Sequence, residues 1–152
     1  MNEAISEVIE LTRGEATKNG VSVQTQFAES LPAVTGDRTQ LQQVILNLIL
    51  NAVQAMAESG LPLRELQIRT EARQSDGVLV SVRDCGPGIR PENLDRLFDP
   101  FYTTKSAGMG MGLAICRSIV EGHGGRIWAT ANVPRGAAFH FTLPAASEWI
   151  AA

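Results

Sequence analysis

Apolar residues recur along this chain with two different periods, and each change of period marks an element. Between Glu3 and Lys18, the residues Ile5, Val8, Ile9 and Leu11 fall near one face of a helical repeat, so this stretch reads as an amphipathic helix ended at Asn19-Gly20. Val21 to Phe27 alternates instead and reads as a strand. Beyond Leu31-Pro32, Asp37 is placed to cap a long helix from Arg38 to Glu58. In that helix Leu41, Val44, Ile45, Leu48, Ile49, Ala52 and Met56 follow the i, i+3, i+4, i+7 rule. A loop at Ser59-Gly60-Leu61-Pro62 follows it. Strands over Leu66 to Ala72 and Val78 to Arg83 flank Ser75-Asp76-Gly77 as a hairpin, and a second hairpin joins Arg126 to Ala131 with Ala138 to Leu143 across Pro134-Arg135-Gly136. Between the hairpins, Asp84 to Gly112 reads mostly as loop and Met111 to Gly122 as a helix, and the last residues read as a tail.

The length of 152 residues suits one packed domain, and 44% apolar with 19% charged residues is ordinary for a globular chain. A net charge of −3 argues against a nucleic-acid partner, because such binding rests on clustered Lys and Arg. Cys85 and Cys116 show no CxxC spacing, which suggests neither a zinc site nor a disulfide framework, and a reducing cytoplasm is the simplest location. The closest candidate for a membrane span, Thr39 to Ala57, carries six amide side chains, and the start MNEAISEVIE lacks a signal pattern. No direct membrane contact is expected.

Candidate chemistry gathers in four segments. Steps of four place Gln43, Asn47 and Asn51 in one stripe of the long helix. They are either exposed polar residues or neutral amides suited to polyphosphate and a hard cation. Asp84-Cys85-Gly86-Pro87-Gly88-Ile89 ends a strand; it is either a plain Asp-started turn or a carboxylate facing an exocyclic amine such as that of adenine. Gly108-Met109-Gly110-Met111-Gly112 precedes an apolar helix beginning at Leu113, where backbone N–H groups and the helix dipole suit phosphates, if the segment is not merely a surface loop. It lacks the GK[ST] of a P-loop and follows no strand closely, so neither that motif nor a dinucleotide-binding fold is indicated. Leu97-Phe98-Asp99-Pro100-Phe101-Tyr102-Thr103-Thr104-Lys105 reads either as an aromatic mini-core or as a lid whose Thr hydroxyls and Lys105 reach phosphates.

Taken in chain order, the segments resemble the N, G1, F and G2 boxes of the ATP-binding catalytic domain of bacterial sensor histidine kinases, in the GHKL superfamily. They span Gln40 to Met56, Asp84 to Ile89, Leu97 to Lys105 and Gly108 to Gly125, and GAAFHFTLP resembles a last glycine box. The TTK ending and short lid resemble the oxygen- and nitrogen-responsive subgroup. The resemblance implies the Bergerat fold, an α/β two-layer sandwich of the α+β kind with a mixed, mostly antiparallel sheet covered on one face by helices. It implies ATP and Mg2+ as ligands, with Asn51 the leading metal ligand, Asn47 assisting, and Asp84 on the adenine amine. Gly86 and Gly88 would shape the base pocket, Ile89 would also belong to the ATP site, and Thr104 and Lys105 would sit near phosphates. Gly108, Gly110 and Gly112 would supply lid flexibility and backbone donors, Met109 and Met111 between them would also belong to the ATP site, and Leu113 would begin the supporting helix.

Departures limit the transfer: Gln54-Ala55 stands where relatives carry Lys-Tyr, and Ala137 stands where Thr is usual. Residues 1–152 are expected to form one such domain, with the dimerisation and sensor domains lying elsewhere. His123 and His140 read as structural, so the phosphoacceptor histidine is expected on a separate helical hairpin. The expected enzyme is a protein histidine kinase unable to autophosphorylate as this domain alone, with that hairpin and, indirectly, a response regulator receiver as partners. The alternatives are a GHKL-type ATPase, whose general-base Glu would occupy the position of Asn47, and an anti-sigma-like nucleotide-binding regulator.

Overall fold

The computed structural model describes residues 1–60, 62–73, 77–99, 112–132 and 135–146. The elements are α1 (Asn2–Lys18), β1 (Ser22–Gln26), α2 (Arg38–Ser59), β2 (Glu65–Arg73), β3 (Gly77–Arg83), a short 3₁₀ helix (Pro91–Arg96), α3 (Gly112–Gly122), β4 (Arg126–Ala131) and β5 (Ala137–Leu143). The five strands form one sheet in the order β1-β2-β3-β5-β4. Only β1 and β2 run parallel; the remaining neighbours are antiparallel. The α/β reading therefore holds, and both expected hairpins are present: Arg73 pairs with Gly77, and Ala131 with Ala137.

Alternation along the strands sorts the sheet into two faces. Leu66, Ile68, Val78, Val80, Val82, Phe139, Phe141 and Leu143 are buried beneath the helices. Against them α2 sets Val44, Ile45, Leu48, Ile49, Ala52, Val53 and Met56, all essentially inaccessible to solvent. Burying each large member of this set stabilises the fold by roughly 1.5–3 kcal/mol, so α2 is the central brace of the domain. Its ends are defined by local chemistry. Asp37 Oδ1 accepts the Gln40 N–H at 3.0 Å, and Gly60 closes the helix in the left-handed region at φ 71°.

Two expectations need correction, and a third gains detail. Leu11 is 78% exposed, because at about 100° per residue it lies roughly 120° around α1 from Ile5; Thr12 and Ala16 complete the buried stripe with Ile5 and Val8. The loop after β3 contains the 3₁₀ helix, started by Pro91, whose fixed φ favours a first helical turn. The chain beyond β5 is not simply a tail as far as Ala146: Val34 bridges to Ala145, and the Ala146 N–H donates to the Ala33 carbonyl at 2.7 Å. Among the described residues no helix is long and apolar enough to cross a membrane.

Candidate functional site

Helices α2 and α3 form the walls of a cleft of about 150 Å³ lined by Asn47, Leu50, Asn51, Gln54, Gly112 and Leu113. Asn47 and Asn51 lie one turn apart and are both half-buried, where the four-residue spacing keeps them on one face. Gln43, the third amide of the stripe, is exposed and stays outside the cleft. Leu50 and Gln54 line it although the amide spacing alone did not select them. The described lining carries amide and apolar side chains and no ionisable group.

One turn along α3 from Gly112, Cys116 is fully buried against α2, with its thiol 3.8 Å from the Val44 carbonyl. Burial pushes this thiol up to about 11, while a hydrogen bond from the Asn47 side chain acts in the opposite direction. Asn47 thus lies close to the thiol of the opposite wall.

Asp84 stands at the end of β3 and is only 3% exposed. Its Oδ1 accepts two backbone N–H groups, from Gly86 at 2.9 Å and Ala137 at 3.1 Å, and its own N–H donates to the Ala137 carbonyl at 2.9 Å. The carboxylate is thus fixed between the turn after β3 and the start of β5. Burial raises its pKa above the ordinary 3.8, and the bonds from Gly86 and Ala137 partly offset that rise. Gly86 is buried beside α2: a Cβ on it would lie 3.2 Å from Asp84 Oδ1 and 3.5 Å from the Ala55 carbonyl. Gly88 turns the chain at φ 86°, a conformation that L side chains resist, and Ile89 returns half-buried against the core. Cys85 holds the other side of the turn, its sulfur accepting the Glu65 N–H at 3.3 Å and lying 3.6 Å from Met56 Sδ.

A buried carboxylate thus lies beside a glycine turn that packs on α2, and an uncharged amide cleft lies farther along that helix. Residues 36–147 match the family described as histidine kinase-, DNA gyrase B-, and HSP90-like ATPase. The chain belongs to this family. The sensor protein FixL of Bradyrhizobium diazoefficiens is 43% identical over 150 residues, 96% of this chain and 29% of FixL. Sensor histidine kinase TmoS of Ectopseudomonas mendocina is 40% identical over 135 residues, covering 88% of this chain and 14% of TmoS. The catalytic domain of histidine kinase ThkA has the same fold, with a TM-score of 0.82 at 38% identity over 94% of this chain and 92% of that one. ThkA has also been solved in complex with the response regulator protein TrrA, with a TM-score of 0.80 at 36% identity, covering 96% of this chain and 40% of that one. The chain therefore spans less than a third of the two sensor proteins, and corresponds to the ATP-binding catalytic domain of a histidine kinase.

Within this histidine kinase-type domain the structure brings Asn47, Asn51, Gly112 and Leu113 around one cleft, and places Asp84, Gly86, Gly88 and Ile89 in the turn beyond β3. Thr104, Lys105, Gly108, Met109, Gly110 and Met111 lie outside the described residues. Both histidines are engaged in internal hydrogen bonds, His123 with Asp37 and Ile119, and His140 with Ser81 and Thr130.

Proposed function

We propose that this domain binds ATP with Mg2+ and presents the γ-phosphoryl group to a histidine on a separate dimerisation hairpin, from which it passes to a response regulator receiver. The observation that carries this reading is the Asp84 carboxylate, buried and held by two backbone donors on Oδ1. In this reading Oδ2 accepts the exocyclic amine of adenine, and the missing side chains of Gly86 and Gly88 let the ring approach, with Ile89 on the apolar side.

The amide cleft takes the phosphates. Its donor set fits Mg2+, a hard cation that takes oxygen ligands: Asn51 is the leading ligand and Asn47 assists, and their neutrality leaves the phosphates to supply the negative charge. Mg2+, when bound, neutralises charge on the phosphate oxygens. Thr104, Lys105 and the glycine segment Gly108 to Gly112, with Met109 and Met111, complete the phosphate side in this reading, and Leu113 supports it from α3.

The domain contributes positioning and no nucleophile of its own. An imidazole nitrogen of the docked histidine bonds to the γ-phosphorus as the bond to the bridging oxygen breaks. ADP leaves with that electron pair, and the imidazole proton passes to solvent. Asn47 occupies the place where hydrolysing relatives carry a general base, and an amide cannot accept a proton from water, so steady hydrolysis is not expected. The two free thiols and the need for ATP support a cytoplasmic location.

Calorimetric titration with ATP, with and without Mg2+, tests the site. Asp84→Asn should weaken ATP binding by about tenfold or more, the worth of a charge-assisted hydrogen bond. Asn51→Ala should remove the Mg2+-dependent part of the affinity. Unchanged binding in both variants would sink the assignments. Formation of acid-labile phosphohistidine on a hairpin supplied in trans, without rapid multiple-turnover phosphate release, separates the kinase from an ATPase or a sequestering regulator.

A further inference from the structure

The turn joining β4 to β5 does more than reverse the chain. It lies against the turn after β3 and satisfies that turn's carbonyls from outside. Asn132 Nδ2 donates to the Asp84 carbonyl at 2.8 Å, and Arg135 Nε donates to the Gly86 carbonyl at 3.2 Å, across 48 and 49 residues of chain. The Asn132 N–H donates to the Gly136 carbonyl at 3.0 Å, which closes the turn on itself.

The two turns also touch backbone to backbone. Gly136 has φ 103°, and a Cβ there would lie 2.0 Å from the Asp84 carbonyl oxygen and 2.9 Å from Cys85 Cα. A Cβ on Gly88 would lie 3.1 Å from the Gly136 carbonyl oxygen. Glycine at both positions lets the backbones approach closely enough for the side chains of Asn132 and Arg135 to reach their acceptors.

The carboxylate of Asp84 receives one donor from its own turn, Gly86, and one from Ala137, where the β4–β5 turn enters β5. Its direction therefore depends on the relative position of the two turns. Asn132 and Arg135 fix that position by holding the carbonyls immediately before and after Cys85.

We propose that Asn132 and Arg135 are positioning residues for base recognition, keeping the Asp84 carboxylate aimed at an amine and making the β4–β5 turn a determinant of the preference for adenine over guanine nucleotides. The proposal rests on the adenine-binding reading of Asp84. An amine at the purine 6-position donates to a carboxylate, whereas the guanine carbonyl at that position opposes it, so loosening the carboxylate costs ATP binding and leaves the weak GTP binding unchanged.

The test is calorimetric titration of the domain with Mg-ATP and Mg-GTP for the wild type, Asn132→Ala, Arg135→Ala, Arg135→Lys and Asp84→Asn, with thermal melts alongside. Each Ala variant should raise the Kd for ATP by about threefold to tenfold, the worth of one lost hydrogen bond, while the Kd for GTP stays within about twofold. Arg135→Lys, which keeps a donor, should recover most of the ATP preference. Arg135 is exposed, so its variants remain decisive even if Asn132→Ala unfolds the domain. Unchanged ATP affinity in the Arg135→Ala variant, or parallel loss for ATP and GTP, would overturn the proposal. If Asp84→Asn binds ATP as the wild type does, the underlying assignment of Asp84 is what fails.

Discussion

His123 and Asp37 meet across 86 residues of chain: the backbone N–H of Asp37 donates to His123 Nε2 at 3.0 Å. Because Nε2 accepts, the ring proton is on Nδ1, which donates to the Ile119 carbonyl at 2.8 Å. The imidazole thus joins the C-terminal end of α3 to the cap of α2, the two helices that wall the cleft. Gly36 leaves it room, since a Cβ there would lie 2.4 Å from the ring. His123→Ala should lower unfolding free energy by about 1–2 kcal/mol, through the loss of the ring's two hydrogen bonds, to Asp37 and to Ile119. Urea unfolding of this variant should show a lower midpoint with an unchanged slope, and a midpoint equal to the wild type would remove the tether from the account.

Asp84 trades stability for recognition. Its pKa is raised by burial, so its favourable contribution is complete below the ordinary 3.8 and is lost as pH rises through the folded-state value. The ionised carboxylate therefore supports the fold less than the protonated acid does. Asp84→Asn keeps an oxygen for the Gly86 and Ala137 N–H groups while removing the buried charge. The variant should therefore melt at or above the wild-type temperature at neutral pH, with the gap closing on acidification toward 3.8, even though ATP binding is weakened. Melting curves across that range would contradict this if the variant were clearly the less stable protein at neutral pH.

Periodicity exposed most of the frame because its longest elements have one buried side each. The α2 stripe from Leu41 to Met56 and the paired strands on either side of Gly77 are local patterns. Leu11 misled because apolar character alone does not place a residue on a helix face, and the small Ala16 and polar Thr12 fill the buried positions instead. Thr12 can do so because its hydroxyl bonds back to the Val8 carbonyl at 2.9 Å. The parallel pairing of β1 with β2 is a long-range event that no local period records. At the site, the ordered motifs singled out Asn47, Asn51 and Asp84, whereas the approach of Asn132 and Arg135 to the turn after β3 is visible only once β5 has been paired with β3.

His140 links acidity to the open face of the sheet. Its pKa is lowered from 6.5, first by burial and then by the positive field of Arg83, with Glu71 opposing. Ser81 Oγ lies 2.8 Å from Nδ1 and Thr130 Oγ1 lies 2.9 Å from Nε2, while Trp128 stacks at 5.4 Å between ring centroids. The neutral ring's contribution is fully present above 6.5 and is lost as pH falls through the lowered folded value. Stability should therefore decline on acidification below 6.5, and His140→Gln, which keeps hydrogen-bonding capacity without a titratable ring, should flatten that decline. Urea midpoints from about pH 5 to 8 decide the matter; equal slopes in the two proteins would exclude His140 as the source.

The thiol of Cys116 makes the opposite end of the pH scale equally informative. Burial between α2 and α3 moves it from 9.0 to about 11, so it stays protonated at neutral pH and resists both oxidation and alkylation. Cys85, half-buried in the turn after β3, should react first with a thiol reagent, and Cys116 only as the domain unfolds. The raised value also carries a stability term, present in full below 9.0 and lost as pH rises through about 11. With each pKa unit worth about 1.4 kcal/mol, the loss amounts to roughly 2–3 kcal/mol across that window. Cys116→Ser should lack this alkaline loss, because a hydroxyl does not ionise there, while still offering Asn47 a partner across the cleft. Urea unfolding at pH 8 and about pH 10.5 for both proteins measures the difference, since the window opens near 9.0. An equal fall in both would place the alkaline transition on some other group and remove Cys116 as a titrating link between the two walls.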